Sequence, residues 1–248
     1  LRDLSWNGGM TKTQIFDACH LGDSSGVPIA DSMMAQLESA FTFETKAWKV
    51  VSDVSGGVPN VPAFLAGHPL CMRRRQRIVS EQAPLVIVAD LVSSGAIDAK
   101  DVQRRGCAIL ALVRVLANVR PVELYATVEL DYNGQNSSCA LAVRIDTNPL
   151  DLQRAAYLLT HPSFPRGACY AFCKKRYMSH VIWAYGSTKD GMQLQRDHGA
   201  ETWRRIINPN GECLYIPPVF LLDQSIKEPV TWIKTMVARY GGIQSQAA

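Results

Sequence analysis

The chain has 248 residues, of which 47% are hydrophobic and 19% charged, with a formal net charge of +4. These values are ordinary for a folded soluble protein: one large α/β domain, or one domain with a smaller attachment, with enough apolar side chains for a substantial core. No stretch is long and apolar enough to span a membrane and no secretory leader is recognisable. The seven cysteines (Cys19, Cys71, Cys107, Cys139, Cys169, Cys173 and Cys213) are scattered as in a reducing compartment, so a cytoplasmic protein is expected.

Thr11 to Gly22 reads as a helix, with Ile15, Phe16, Ala18, Cys19 and Leu21 apolar and Gly22 placed to stop it. A second helix runs from Pro28 to about Phe41, with Ile29, Met33, Met34, Leu37 and Phe41 on one stripe. Phe43 to Val54 is β-like, and a Gly/Pro-rich connection from Ser55 to Pro62 leads towards a strand over Arg73 to Glu81. Leu85 to Ala89 is wholly apolar, the mark of a strand covered on both faces. A turn over Asp90 to Gly95 precedes a long helix, Ile97 to Asn118, which Pro121 ends. Val122 to Leu130 alternates as a strand, and Asn133-Gly134 favours a tight return into another from Cys139 to Ile145. There follow a helix over Leu150 to Leu159, a strand over Cys169 to Tyr177, and a strand over Leu214 to Leu222 broken by Pro217-Pro218. A last helix, Glu228 to Tyr240, has Pro229 in its first turn and Gly241-Gly242 past its end. This order predicts an α/β fold, a mostly parallel, Rossmann-like sheet sandwiched by helices with one antiparallel member. Residues 1–82 are expected to form an N-terminal helical and β extension packed on a core domain of residues 83–248.

Charge is segregated along the chain. From Val54 to Ser80 there is no acid, yet Arg73, Arg74, Arg75 and Arg77 fall within five consecutive positions. From Leu152 to Lys189 there is again none, while Arg154, Arg166, Lys174, Lys175, Arg176 and Lys189 stand unopposed among Tyr157, Phe164, Tyr170, Phe172, Tyr177, Trp183 and Tyr185. Cations interleaved with aromatic rings suit a single nucleic-acid strand, with charge for phosphates and flat faces for unstacked bases. Arg166, Tyr170, Lys174, Lys175, Arg176, Tyr177 and Trp183 are therefore candidate contacts with the four arginines, and Arg204 and Arg205 beside Trp203 add to the patch. Each cluster has a plainer reading: edge-strand cations that deter unwanted pairing at Arg73 to Arg77, and core aromatics with a rim of cations at Lys174 to Arg176. Cys169 and Cys173 would share a face if helical, but no further Cys or His stands at zinc-ligand spacing. The five histidines are spread out and no Gly-x-x-x-x-Gly-Lys phosphate loop is present, so no catalytic residues and no cofactor are assigned.

Asp90-Leu-Val-Ser-Ser94 sits just past the first central strand, where α/β sheets place ligands. Here the chain resembles the von Willebrand factor A-type fold, whose metal site opens with Asp-x-Ser-x-Ser. Asp90 and Ser94 match, but Val92 replaces the first serine and offers no oxygen to Mg²⁺, so the resemblance implies a degenerate metal site, with Asp90 capping a turn or the next helix. A wider resemblance, carried by the elements Gly56 to Pro62, Leu65 to Met72, Arg104 to Ala108, Asn148 to Leu152 and His161-Pro162, is to an uncharacterised family of bacteriophage proteins. Some phages with their own RNA polymerase encode a basic single-stranded DNA-binding cofactor of about this size, and the chain looks like one. That resemblance implies a non-enzymatic, homo-oligomeric protein of the infected host's cytoplasm, binding single-stranded DNA and recruiting a phage RNA polymerase. The alternatives are a metal-free A-type interaction or assembly module and a Mg²⁺-dependent adhesion-type domain around Asp90.

Overall fold

The structure, a computed structural model, describes residues 4–38, 48–77, 84–93, 97–132, 138–147, 150–177, 183–184, 201–208, 211–219 and 223–241. In chain order its elements begin with helices α1 (Lys12–Leu21) and α2 (Val27–Glu38), strands β1 (Trp48–Asp53) and β2 (Val58–Pro59), helix α3 (Val61–Leu65) and strand β3 (Met72–Arg77). Strand β4 (Leu85–Asp90), helix α4 (Ala99–Val119), strands β5 (Val122–Tyr132) and β6 (Ser138–Ile145) and helix α5 (Leu152–Thr160) follow. A π-helical turn (Phe164–Cys169) then runs into α6 (Tyr170–Tyr177), before β7 (Trp183–Ala184), a helix α7 over 201–207, β8 (Cys213–Ile216), α8 (Gln224–Lys227) and α9 (Pro229–Tyr240).

These elements form two compact units: Leu1–Phe41 with Ala83–Ala248, and Thr42–Gln82. The larger is a mixed α/β unit with strand order β6-β5-β4-β8, in which β4, β5 and β8 are parallel and β6 is the antiparallel edge. All six residues of β4 are buried, as its apolar run requires of a strand covered on both faces. Alternation assigns the two layers. Val86 and Val88 lie on one face with Tyr125, Cys213 and Tyr215, under Trp203 and Ile207 of α7. Leu85, Ile87, Ala89, Leu124, Ala126, Leu214 and Ile216 point the other way and are buried on the α4 side.

α4 is the spine of that second layer, packed against α2, α5, α8 and α9. Its mid-helix Gly106 lets the backbone of Leu159 and Thr160 in α5 approach so closely that a methyl group would run into both. α1 opens with a reciprocal cap in which Gln14 N–H donates to Thr11 Oγ1 and Thr11 N–H donates to Gln14 Oε1 at 2.9 Å. It ends at Gly22, whose φ of +81° favours glycine.

The smaller unit is a three-stranded antiparallel sheet in the order β1-β3-β2, with α3 in the connection. Among its described residues none is fully buried.

One expectation is corrected. The stretch Cys169 to Tyr177 is helical, not a strand: Cys169 and Cys173 are buried four residues apart while Phe172 and Lys175 are exposed, a helical repeat. α1 and α2 pack on α5 and α4, so residues 1–41 belong to the larger unit, and Thr42–Gln82 is the second unit.

Candidate nucleic-acid interface

The end of β4 is filled by the chain's own side chains. Asp90 is fully buried; its Oδ1 accepts the Val92 N–H at 2.9 Å, closing a turn, and its Oδ2 accepts the Tyr215 hydroxyl at 3.2 Å. Arg105, reaching up from α4, donates to the Asp90 carbonyl at 3.0 Å and to the Pro217 carbonyl at 2.6 Å, tying the ends of β4 and β8. Asp90 is thus held by the fold's own hydrogen bonds, and Val92 offers no side-chain oxygen to a Mg²⁺ ion; Ser94 lies outside the described residues.

Arg166, counted with the surface cations from its place in an acid-free stretch, is buried instead. Its Nη2 donates to the Ile97 carbonyl at 3.0 Å and the Ser93 hydroxyl at 3.3 Å, and its guanidinium stacks 4.4 Å from the centre of the Trp6 ring. It ties the N-terminal turn and the α4 approach to the sheet and is not a phosphate contact.

Among the described residues, His161 and Ser163 lie at the distance of a nucleophile–base pair. Ser163 Oγ is 2.7 Å from His161 Nδ1, but the Ser163 N–H donates to the same nitrogen at 3.1 Å, and the hydroxyl is fully buried beside Tyr157 and Met10. The pair closes the turn after α5. Burial lowers the pKa of His161, with the Asp23 carboxylate opposing part of that shift.

The exposed cations are elsewhere. In the smaller unit β3 pairs with β1 so that Trp48 lies opposite Arg77, Val50 opposite Arg75, Val51 opposite Arg74 and Ser52 opposite Arg73, while Val58 of β2 flanks Arg73 on the other side. Paired residues share a face. Positions 73, 75 and 77 therefore lie on one face with positions 48, 50, 52 and 58. Val50 and Val58 are each 59% exposed and Ser52 and Arg73 are exposed too, so this face is open to solvent at those four positions. Position 74 is on the opposite face, where Arg74 is ion-paired to Asp53 at 3.0 Å. Sequence reading found the arginines but not their partners at 48, 50 and 58, because the alternation of β1 says nothing about which residue it sets opposite which.

The unit Thr42–Gln82 holds six cations (Lys46, Lys49, Arg73, Arg74, Arg75 and Arg77) against three acids (Glu44, Asp53 and Glu81), three of the chain's four net positive charges.

In the larger unit Tyr170 is half-buried and Lys175 exposed on α6; Lys174, Arg176 and Tyr177 fall on the same short helix rather than alternating along a strand. Trp183 is in β7, paired with the end of β5. Arg204 and Arg205 are exposed on α7, whose Trp203 is buried in the sheet. The basic positions thus fall in separate elements of two units, and β3 alone sets several on one face by register. Among the described residues, no helix is long and apolar enough to cross a membrane.

No curated protein and no solved structure matches the chain. A family model described as a domain of unknown function, DUF7192, matches residues 2–244, and the chain belongs to that family.

Proposed function

We propose that this protein binds single-stranded DNA with little sequence preference, chiefly through the sheet of the Thr42–Gln82 unit. The observation that carries this reading is the concentration of net positive charge in that small unit, with an arginine-bearing face that also exposes apolar side chains. Arg73, Arg75 and Arg77 hold phosphates, and the apolar neighbours on β1 and β2 take bases. Lys174, Lys175 and Arg176 on α6 and Arg204 and Arg205 on α7 are basic positions of the larger unit that can meet phosphates in their own right. The larger unit, with its parallel strands and antiparallel edge, is a scaffold of the von Willebrand A type with a degenerate metal site. On the resemblance stated above, the protein is a homo-oligomeric phage cofactor that brings an RNA polymerase to exposed strands in the host cytoplasm, and is not an enzyme.

A second reading, a protein-docking module, is favoured by Phe64 and Leu65, which are 65% and 79% exposed on α3. Retention on single-stranded DNA cellulose separates the two. Binding at low salt and elution as salt rises is the expected result; passage straight through at low salt leaves the docking module.

A further inference from the structure

We propose that β3 is a one-sided phosphate track for a single nucleic-acid strand, and that Arg74 plays no part in it. This rests on the single-strand reading above and adds its register and its selectivity.

Same-face residues of a strand recur every second position, about 7 Å apart, so positions 73, 75 and 77 form a straight row of three. Successive phosphates of a nucleic-acid strand lie a similar distance apart through space, so one phosphate can meet each arginine. In a duplex the bases are paired and stacked inside; in a single strand they are free to leave the stack for other surfaces.

The register supplies them. The row at 73, 75 and 77 is bordered directly across β1 by positions 52, 50 and 48, and across β2 by Val58, with Val50 and Val58 well exposed. The nucleic-acid backbone therefore runs along β3, with its bases laid over Val50 and the Trp48 position. Arg74 sits one residue out of phase, on the opposite face, its charge engaged by Asp53. Four arginines nearly contiguous in sequence thus divide into three that bind and one that holds the sheet.

The test is the salt dependence of binding to a labelled oligothymidylate strand, measured on the full chain for wild type and for R73Q, R74Q, R75Q and R77Q. Each variant removes one charge, so non-specific attraction changes equally in all four. Each phosphate neutralised on a single strand contributes about 0.7 to the slope of log K against log salt. R73Q, R75Q and R77Q are each expected to lower the slope by about 0.7 and R74Q to leave it unchanged; R75K, which keeps the charge, is expected to retain the wild-type slope even if R75Q folds poorly. A matching duplex is expected to bind more weakly than the single strand at every salt concentration. Equal losses at all four arginines, or equal affinity for duplex, overturn the track while leaving strand binding intact. Failure of the wild type to bind any strand overturns the reading on which the track rests.

Discussion

Arg105 and Arg166 show how residue type and location part company. Both carry a cation that composition alone counts as surface charge, yet both are buried, and their donors bond the carbonyls of Asp90, Pro217 and Ile97. Arginine suits this role because its fork reaches two acceptors at once, as Arg105 does at Asp90 and Pro217. His161 is another residue whose work is local. Its Nδ1 is an acceptor for the Ser163 N–H, and burial disfavours its charged form, so its folded-state pKa lies below the ordinary 6.5. The sign follows: above about pH 6.5 the ring is neutral in folded and unfolded chain alike and its contribution is complete. As pH falls below that, the unfolded chain takes up the proton first and stability drops until the folded-state pKa is passed. Asp23 faces the ring from the turn after α1 and moderates the effect, while Tyr157 stacks on it from α5. In His161→Asn an amide oxygen accepts the same N–H without titrating. Thermal melts from pH 7.5 to 5 are expected to show a shallower fall in Tm for this variant than for wild type; identical slopes would mean that His161 does not set the acid limb.

At the scale of elements, the crossing of α4 on α5 depends on Gly106. Any side chain there meets the α5 backbone, which cannot swing aside as a rotamer does. Gly106→Ala gains helix propensity of about 1 kcal/mol but forces the helices apart, and a net destabilisation of about 1–3 kcal/mol is expected from denaturant melts. A variant as stable as wild type would show that the crossing has slack. The same crossing explains what could be read from the sequence. Strands β4, β5 and β6 and helices α4, α5 and α9 were legible because each has an unbroken hydrophobic period and a Pro, Gly or Asn-Gly boundary. The segment Cys169 to Tyr177 was misread because Tyr170, Phe172 and Tyr177 favour strands on local propensity. The helical turn begun at Phe164, with Cys169 and Cys173 packed inside, decides otherwise. The candidate site was half legible for a related reason. The four arginines are plain in the sequence, but their division into three and one follows from alternation along β3, and their apolar neighbours come from its register with β1 and β2, a long-range property.

At the scale of the molecule, the two units differ in composition and burial. The larger has the buried α/β core, with strand ends sealed by internal arginines. The smaller has most of the net charge and no fully buried residue among those described, a composition suited to meeting a charged partner rather than to building a core. Fluorescence anisotropy of a labelled single strand of about 30 nucleotides, beside the duplex of the same sequence and across a salt series, tests this most directly. The account predicts binding to the single strand that weakens with salt, with a log–log slope near −2 or steeper for three or more phosphates neutralised, and weaker binding to duplex. Absence of single-strand binding at low salt would contradict it.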